Sequence, residues 1–206
     1  MWSIIEAAGW PIWPLIFASV ISVAIIGERL VALRAGKVAP KTLLPEVQSK
    51  LKHGGITPEF CSWLEQHSPL GEIFASAVCN SALCGLDNSR EVMKEAIEES
   101  GRAVTHKLER YLTTLGTIAS IGPLLGLLGT VIGMVELFGA LGPGSHDPVM
   151  LARGISVALY NTAMGLIVAI PSMIFYRYFR GQVDTLVIEM EQQAIKLVEL
   201  LQGHRK

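Results

Sequence analysis

The chain has 206 residues, of which 50% are hydrophobic and only 17% are charged, and its formal net charge at pH 7 is −1. Soluble domains average ~25% charged residues, so this composition predicts a membrane protein. A net charge near zero, with no basic run interleaved with aromatic residues, predicts that the chain has no nucleic-acid partner.

The first apolar segment predicts a membrane-spanning helix. The residues before it, Met1–Trp10, contain no Lys or Arg and so lack the basic start of a signal peptide. A Trp-Pro-Ile-Trp-Pro stretch beginning at Trp10 suits the membrane edge. The segment continues to Leu33 and includes Glu28 and Arg29. We expect this pair to anchor the end of the helix at the membrane surface. The alternative is a mutually neutralised pair at the inner interface, with Arg29 extending toward the head groups.

Residues 34–110 predict a region of short helices, because proline and glycine interrupt it repeatedly. Leu70–Leu83 is one predicted helix. Asn88 and Glu91 form a capping box, and an apolar face then continues to Tyr111. This pattern predicts a helix that runs unbroken into the second membrane span.

The three cysteines, Cys61, Cys79 and Cys84, all lie in this region. Their odd number, on a side predicted below to be cytoplasmic, predicts reduced thiols and no disulfide framework. No C-x-x-C or H-x-x-x-H spacing supports a zinc site that would include His53 or His67. We therefore expect no metal site.

Two further apolar segments, Leu112–Leu141 and Val149–Tyr176, are each long enough to cross a hydrocarbon core of ~30 Å. Only the residues Gly142–Pro148 join them, which predicts an antiparallel helical hairpin. Asp147 and Pro148 are typical of the first positions of a helix, and we expect the third span to begin there.

The distribution of Lys and Arg predicts the orientation of the spans. Basic residues follow the first span, precede the second and follow the third, namely Arg29, Arg34, Lys37, Lys41, Lys107, Arg110, Arg177 and Arg180. The link between the second and third spans has none, and Arg153 is the one basic residue near that side. By the positive-inside rule the amino terminus is outside and the carboxyl terminus inside.

We therefore predict an all-α membrane protein with three transmembrane helices, whose long helices extend into the cytoplasm. Its predicted parts are an N-terminal segment with the first span (1–33), a cytoplasmic helical region (34–110), a hairpin of two spans (111–176) and a cytoplasmic helical tail (177–206). The tail carries a heptad pattern of apolar residues, which predicts packing against the preceding cytoplasmic helix or against other subunits. These residues are Val183, Val187, Met190, Ala194, Leu197 and Leu201.

Small residues recur at helical spacing along both spans of the hairpin. They are Gly122, Gly126, Gly129 and Gly133 on the second span, and Ala158, Gly165 and Ala169 on the third. Lipid provides no hydrophobic force between helices, so close packing of small residues drives their association. We expect both stripes to be buried between helices.

Polar residues on the same spans are candidates for a polar path through the membrane, namely Thr130, Ser156, Asn161 and Thr162. A membrane threonine often only bonds a carbonyl of its own helix, so packing is the alternative role. The nearest ionisable residues, Glu28, Glu136 and Arg153, lie toward the span ends. If the chain conducts protons, the titrating carboxylate must come from another chain.

Enzymatic activity is not predicted. The run Gly122–Gly129 lacks the Gly-Lys-Ser/Thr ending of a phosphate-binding loop. No Ser/His/Asp grouping or carboxylate pair indicates an active site. We therefore expect no cofactor.

Two motifs resemble those of ExbB and TolQ proteins. GPLLGLLGTVIGM at Gly122–Met134 resembles the family's ISPFVGLFGTVWGI-like motif, and ARGISVALYNTAMGLIVAIPSMIFY at Ala152–Tyr176 resembles its second signature. The flagellar MotA proteins are more distant relatives with four spans, whereas this chain has room for three. The tail FRGQVDTLVIEMEQQAIKLVELL favours ExbB over TolQ.

The resemblance implies a subunit of a proton channel in the bacterial inner membrane. Such subunits form a pentamer around the single spans of ExbD or TolR, whose membrane aspartate carries the proton, and the work reaches the outer membrane through TonB or TolA. The family's pore threonines correspond to Thr130 and Thr162. Many relatives have a glutamate where this chain has Val157, and Glu136 lies on a different span. The alternatives are a TolQ-like role in a Tol-Pal envelope system and a structural scaffold that does not conduct.

Overall fold

The computed structural model of the chain describes residues 10–53, 57–83, 89–140 and 148–203. Over these residues the chain forms seven helices and no strand. They are α1 (Ile12–Ala32), α2 (Ala35–Val38), α3 (Leu43–His53), α4 (Pro58–His67), α5 (Pro69–Leu83), α6 (Ser89–Ala140) and α7 (Pro148–Gly203). Helices α1, α6 and α7 each contain a stretch long and apolar enough to cross a membrane. The prediction of an all-α fold with three candidate spans is confirmed.

Both long helices continue well beyond the length that a bilayer needs. Helix α6 has 52 residues and α7 has 56, whereas about 20 residues cross a hydrocarbon core. The predicted unbroken helix from the middle region into the second span is therefore confirmed. Pro123 and Pro171 both lie inside these helices. The predicted caps, Asn88 and Asp147, lie outside the described residues, as does the side chain of Arg153.

The chain divides into two compact units. The first contains the described residues of Met1–Glu28 together with Tyr111–Tyr178, which are α1 without its last turn and parts of α6 and α7. Its large exposed side chains are mostly aliphatic, such as Leu124, Val131 and Ile167. An exposed apolar surface of this kind suits contact with lipid or with neighbouring subunits. The predicted orientation of this unit across the membrane remains a prediction.

A pair of serine hydroxyls joins α1 to α7 inside the first unit. The Oγ atoms of Ser22 and Ser172 are 2.6 Å apart, and both residues are buried. Ser172 also donates to the carbonyl of Val168 over 2.7 Å. Since a hydroxyl carries one hydrogen, Ser22 is the donor in the serine pair. A hydrogen bond between helices of this kind satisfies polar groups where water is absent.

The second unit contains residues Arg29–Arg110 and the described part of Phe179–Lys206. Its core includes Phe74 and Phe179, and the predicted apolar face of the tail points into it. Of the six heptad residues, Val183, Met190, Ala194, Leu197 and Leu201 are buried and Val187 is half-buried. Arg180 forms a 2.8 Å ion pair with Glu109, so the tail also contacts α6 at the unit's surface.

Arg29 is buried within the protein, whereas the alternative of an extended Arg29 would leave its side chain exposed. It lies in the last turn of α1, as expected, but only 5% of the residue is exposed. Its Nη1 atom donates to the backbone carbonyl of Leu108 over 3.1 Å. Arg29 is buried because α6 continues past the predicted edge of the membrane and covers the side chain.

The expectation of reduced thiols is wrong for two of the three cysteines. Cys61 on α4 and Cys79 on α5 form a disulfide, with their Cα atoms 6.6 Å apart. Only Ser68 separates the two helices along the chain, so they pack against each other and bring together residues 18 positions apart. Residue counts do not reveal such a pairing. Cys84 lies outside the described residues.

Candidate functional site

The site predicted from the sequence lies where α6 and α7 meet in the first unit, and its centre is the contact between Gly126 and Gly165. A Cβ atom added at Gly126 would lie 2.9 Å from the carbonyl oxygen of Asn161 and 3.0 Å from the Cα of Thr162. A Cβ added at Gly165 would lie 2.7 Å from the carbonyl oxygen of Gly122. Real Cβ atoms do not approach backbone so closely, so the two helix backbones are in direct contact here.

The contact becomes looser toward the end of α6. At Gly129 an added Cβ would lie 2.7 Å from the Cβ of Asn161, whereas at Gly133 it would lie 3.5 Å from the Cβ of Ala158. In the other direction, a Cβ at Gly122 would lie 3.2 Å from that of Ala169. The structure therefore brings all seven predicted small residues to one interface between α6 and α7.

Thr162 takes part in this interface through its hydroxyl. Its Oγ1 donates to the backbone carbonyl of Gly126 over 3.3 Å, and the residue is half-buried. Gly126 makes the bond possible because it has no side chain between its carbonyl and α7. The oxygen of Thr162 keeps its lone pairs and can still accept a hydrogen bond from water or from a partner.

Thr130 lies one turn beyond Gly126 on α6 and is also half-buried. Its Oγ1 donates to the carbonyl of Leu127 in the same helix over 2.6 Å. This is the local bond that threonine commonly makes in membrane helices. The hydroxyl oxygen again remains available as an acceptor.

The other two predicted polar residues have different surroundings. Asn161 is 1% exposed and packs against Gly129, so it belongs to the helix contact. Ser156 is exposed, and its Oγ donates to the carbonyl of Ala152 over 2.8 Å within α7. Of the four predicted polar residues, Thr130, Thr162 and Ser156 therefore have accessible hydroxyls, and Asn161 does not.

Ionisable groups are scarce in this unit. Of its described acidic residues, Glu28 and Glu136 are both exposed, and the buried polar residues of the unit are Ser22, Asn161 and Ser172. Val157 is half-buried and has no titrating group. Among the described residues of the whole chain, no group of three His, Cys, Asp or Glu side chains could hold a metal ion.

Sequence analysis missed a second set of hydroxyls on α6. Thr113, Thr117 and Ser120 are exposed and border a groove of about 390 Å³, which Tyr176 and Met173 of α7 complete. Their spacing of four and three residues was visible in the sequence and places them on one face of a helix. These three residues precede the first family motif, which begins at Gly122, and so the resemblance to the family did not identify them.

Comparison with known proteins gives relatives that span most of this chain. A protein of Methanothermobacter thermautotrophicus whose name describes it as a biopolymer transport ExbB homologue is 33% identical over 158 residues, which are 77% of this chain. The match spans only 54% of that relative's length. The Tol-Pal system protein TolQ of Pseudomonas aeruginosa is 30% identical over 198 residues, which cover 91% of this chain and 86% of TolQ.

A solved structure and a family-level match complete the comparison. A chain in the structure of the flagellar MotAB stator complex from Bacillus subtilis has a TM-score of 0.51 to this chain, with 18% identity, and the match covers 95% of this chain and 82% of that one. At this identity the likeness shows the fold alone. Residues 65–192 match the MotA/TolQ/ExbB proton channel family. This chain therefore belongs to the MotA/TolQ/ExbB proton channel family.

Proposed function

We propose that the chain is the channel subunit of a TonB-ExbB-ExbD type complex in the bacterial inner membrane. In this function it converts the proton motive force into mechanical work for transport across the outer membrane. Family membership and the ExbB-named relative support the proposal. The tail sequence that resembles ExbB favours this role over that of TolQ.

The observation that carries the proposal is the hydrogen bond between Thr162 and the carbonyl of Gly126. Thr162, which the resemblance assigns to the pore, lies at the interface of α6 and α7 and bonds to a residue one turn from Thr130. Both hydroxyl oxygens remain able to accept hydrogen bonds. Such oxygens lower the cost of bringing a charged group or water into a low-dielectric region.

A proton carrier from another chain is part of the proposal. The described carboxylates of the first unit, Glu28 and Glu136, are exposed, and Val157 replaces the glutamate found in many relatives. Without a buried titrating group, the threonine hydroxyls cannot carry a proton through the unit by themselves. We therefore propose an ExbD-like partner with one span and a membrane aspartate, enclosed by a ring of five copies of this chain.

The test is co-expression with an ExbD-like protein that has one span and a membrane aspartate. We expect the two to purify together, native mass spectrometry to give five copies of this chain, and vesicles containing the complex to take up protons. Replacing the partner's membrane aspartate with asparagine should abolish uptake and leave the complex intact. Proton uptake that persists in this variant would contradict a partner-borne carrier.

The second candidate is a TolQ-like subunit of a Tol-Pal system, which the 30% identity to TolQ over 91% of this chain favours. Growth assays separate the two roles. An ExbB-like subunit restores growth on chelated iron through a TonB-dependent receptor, whereas a TolQ-like subunit restores resistance of the envelope to detergent. A scaffold without conduction would assemble and restore neither.

A further inference from the structure

The groove beside Tyr176 has an unusual lining for the surface of a membrane-spanning unit. Its walls are Thr113, Thr117, Ser120 and Ile121 on α6 and Met173 and Tyr176 on α7. The ring of Tyr176 lies over Gly116, where an added Cβ would be 3.1 Å from Cε2. The tyrosine therefore forms a floor, and the hydroxyls of α6 stand along one side.

The hydrogen bonds of two of these hydroxyls fix their chemistry. Thr117 Oγ1 donates to the carbonyl of Thr113, and Ser120 Oγ donates to the carbonyl of Gly116, both over 2.9 Å. Each hydroxyl has one hydrogen, which is used within the helix. The oxygens therefore present only lone pairs to the groove. A surface of acceptor oxygens favours donors such as water and hydrated cations, and it disfavours anions.

The polar lining ends abruptly along α6. The exposed residues at the next turns of the same face are Leu124 and Leu127, which are 62% and 55% exposed. Aliphatic side chains suit contact with lipid, whereas hydroxyls in contact with hydrocarbon gain nothing from it. The change from hydroxyls to leucines within one turn therefore marks a boundary between two kinds of surroundings.

Helix periodicity relates the groove to the proposed proton path. Thr130 lies 14 residues after Gly116 at the floor of the groove, which at 3.6 residues per turn leaves these two residues within about 40° of each other around the helix, whereas Ser120 and Thr117 lie about 80° and 140° around the helix from Thr130. The separation along the axis is about 21 Å at 1.5 Å per residue. The floor of the groove thus lies on the Thr130 side of α6, toward its predicted cytoplasmic end, and its hydroxyls lie further around the helix.

We propose that this groove is a water-filled vestibule that accepts hydrated protons at the predicted inner end of the path through Thr130 and Thr162. The inference rests on the proposed function for its role in conduction, whereas the wetness and the cation preference of the groove follow from its own lining. Its acceptor oxygens hydrogen-bond to water that would otherwise meet only Ile121 and Met173.

Accessibility of introduced cysteines tests the groove directly. Thr117→Cys and Leu127→Cys are made in the full chain. Thr185→Cys in the second unit is the exposed reference, because Thr185 makes the same type of hydrogen bond within its helix, to the carbonyl of Gly181 over 2.9 Å. A charged, water-soluble methanethiosulfonate is added to both faces of the membrane, and peptide mass spectrometry reads modification at each introduced residue.

We expect Thr117→Cys to react at a rate close to that of Thr185→Cys and Leu127→Cys to be protected. We also compare the rates of modification by the positively charged trimethylammonium reagent and the negatively charged sulfonate reagent. The ratio of the first rate to the second should be larger at residue 117 than at residue 185. Protection of residue 117 to the same degree as residue 127 would overturn the proposal, because lipid or a neighbouring helix would then fill the groove. Equal reagent ratios at residues 117 and 185 would overturn the cation preference.

Proton uptake by the complex with its partner distinguishes this inference from the proposed function. The double variant Thr117→Val with Ser120→Ala should lower uptake roughly fivefold or more, the size expected for lost hydrogen bonds of ordinary strength, whereas Thr185→Val should not change it. Normal uptake by the double variant overturns the vestibule. If the native complex itself takes up no protons while residue 117 still reacts, the proposed function fails and the wet groove stands.

Discussion

Thr162 and Gly126 are joined across the hairpin, because the threonine hydroxyl donates to the glycine carbonyl over 3.3 Å. The same glycine lets the two backbones touch, since a Cβ there would lie 3.0 Å from the Cα of Thr162. Thr130 bonds only within α6, to Leu127. The two motif threonines therefore differ, in that one links the spans and the other does not.

Replacement of either threonine by valine keeps its shape and removes its hydroxyl. Thr162→Val loses a bond between helices, which in membrane proteins contributes on average about 0.6 kcal/mol. Thr130→Val loses only a bond within its own helix. We expect both variants to assemble and both to lower growth on chelated iron, with the complex quantified in parallel by native gel electrophoresis.

The serine variants are the matched controls for these valines, since they restore an oxygen in nearly the same place. Thr130→Ser and Thr162→Ser should retain more activity than the valine variants. If both valine variants assemble and support normal uptake, the two hydroxyls only assist packing and the assignment of the path is wrong.

The glycine interface predicts a graded response to added methyl groups. Gly126→Ala and Gly165→Ala place a Cβ against backbone atoms, and overpacking of this kind costs typically 1–3 kcal/mol. Gly133→Ala meets the Cβ of Ala158 at an ordinary 3.5 Å and should be tolerated. Leucine at Gly126 or Gly165 should disrupt the hairpin and the oligomer. Thermal stability in detergent, measured with size-exclusion chromatography, checks the series.

Gly139 provides the control for helix propensity alone, because nothing lies within 4 Å of an added Cβ there. Gly139→Ala should leave the melting temperature unchanged or raise it slightly. Equal tolerance at Gly126 and Gly139 would contradict direct backbone contact between α6 and α7.

Much of this arrangement could be predicted because periodic patterns determine it. The spacing of Gly122, Gly126 and Gly129 predicts a stripe of small residues on one helix face. The short link between the two long apolar segments predicts a hairpin, in which the other helix packs against this stripe. The unbroken course of α6 follows in the same way from its apolar face. In both cases the helical spacing of residues within one segment is enough to predict the feature.

Contacts between residues that are distant along the chain could not be predicted. Ser22 meets Ser172 across 150 positions, and Arg29 meets Leu108 across 79. Each depends on how helices are placed against each other, which a periodic pattern within one helix does not specify. The pairing of Cys61 with Cys79 depends on the tight connection at Ser68 for the same reason.

The serine pair predicts a small loss on truncation. Ser22→Ala removes the donor, but Ser172 keeps its own bond to Val168 and only an acceptor position is left empty. We expect a loss of stability of about 0.6 kcal/mol, the average for hydrogen bonds between membrane helices. Ser172→Ala should cost more, because it leaves the buried Ser22 hydroxyl without this acceptor. A larger loss for Ser22→Ala than for Ser172→Ala, measured by thermal melting, would contradict the assigned donor.

The disulfide predicts a redox-dependent stability of the second unit. A cross-link that closes a loop of about this length stabilises a fold by roughly 3 kcal/mol in the chain-entropy account. We expect the oxidised protein to melt at a higher temperature than the reduced one, and Cys61→Ser to behave like the reduced form with or without reductant. Peptide mapping without reductant should recover Cys61 linked to Cys79. Recovery of Cys84 in that link instead would contradict the pairing.

The last prediction concerns the side of the membrane on which this disulfide lies. The positions of the Lys and Arg residues predict that residues 34–110 lie in the cytoplasm. That compartment keeps most thiols reduced, whereas the structure pairs Cys61 with Cys79. Reporter fusions decide the orientation, and we expect a periplasmic reporter to be active at Gly144 and inactive at Gly85 and Lys206. With that result, we expect Cys61 and Cys79 to resist alkylation in intact cells until a reductant is added, because the structure pairs them. Activity at Gly85 with none at Gly144 would reverse the topology and make the disulfide a permanent structural link.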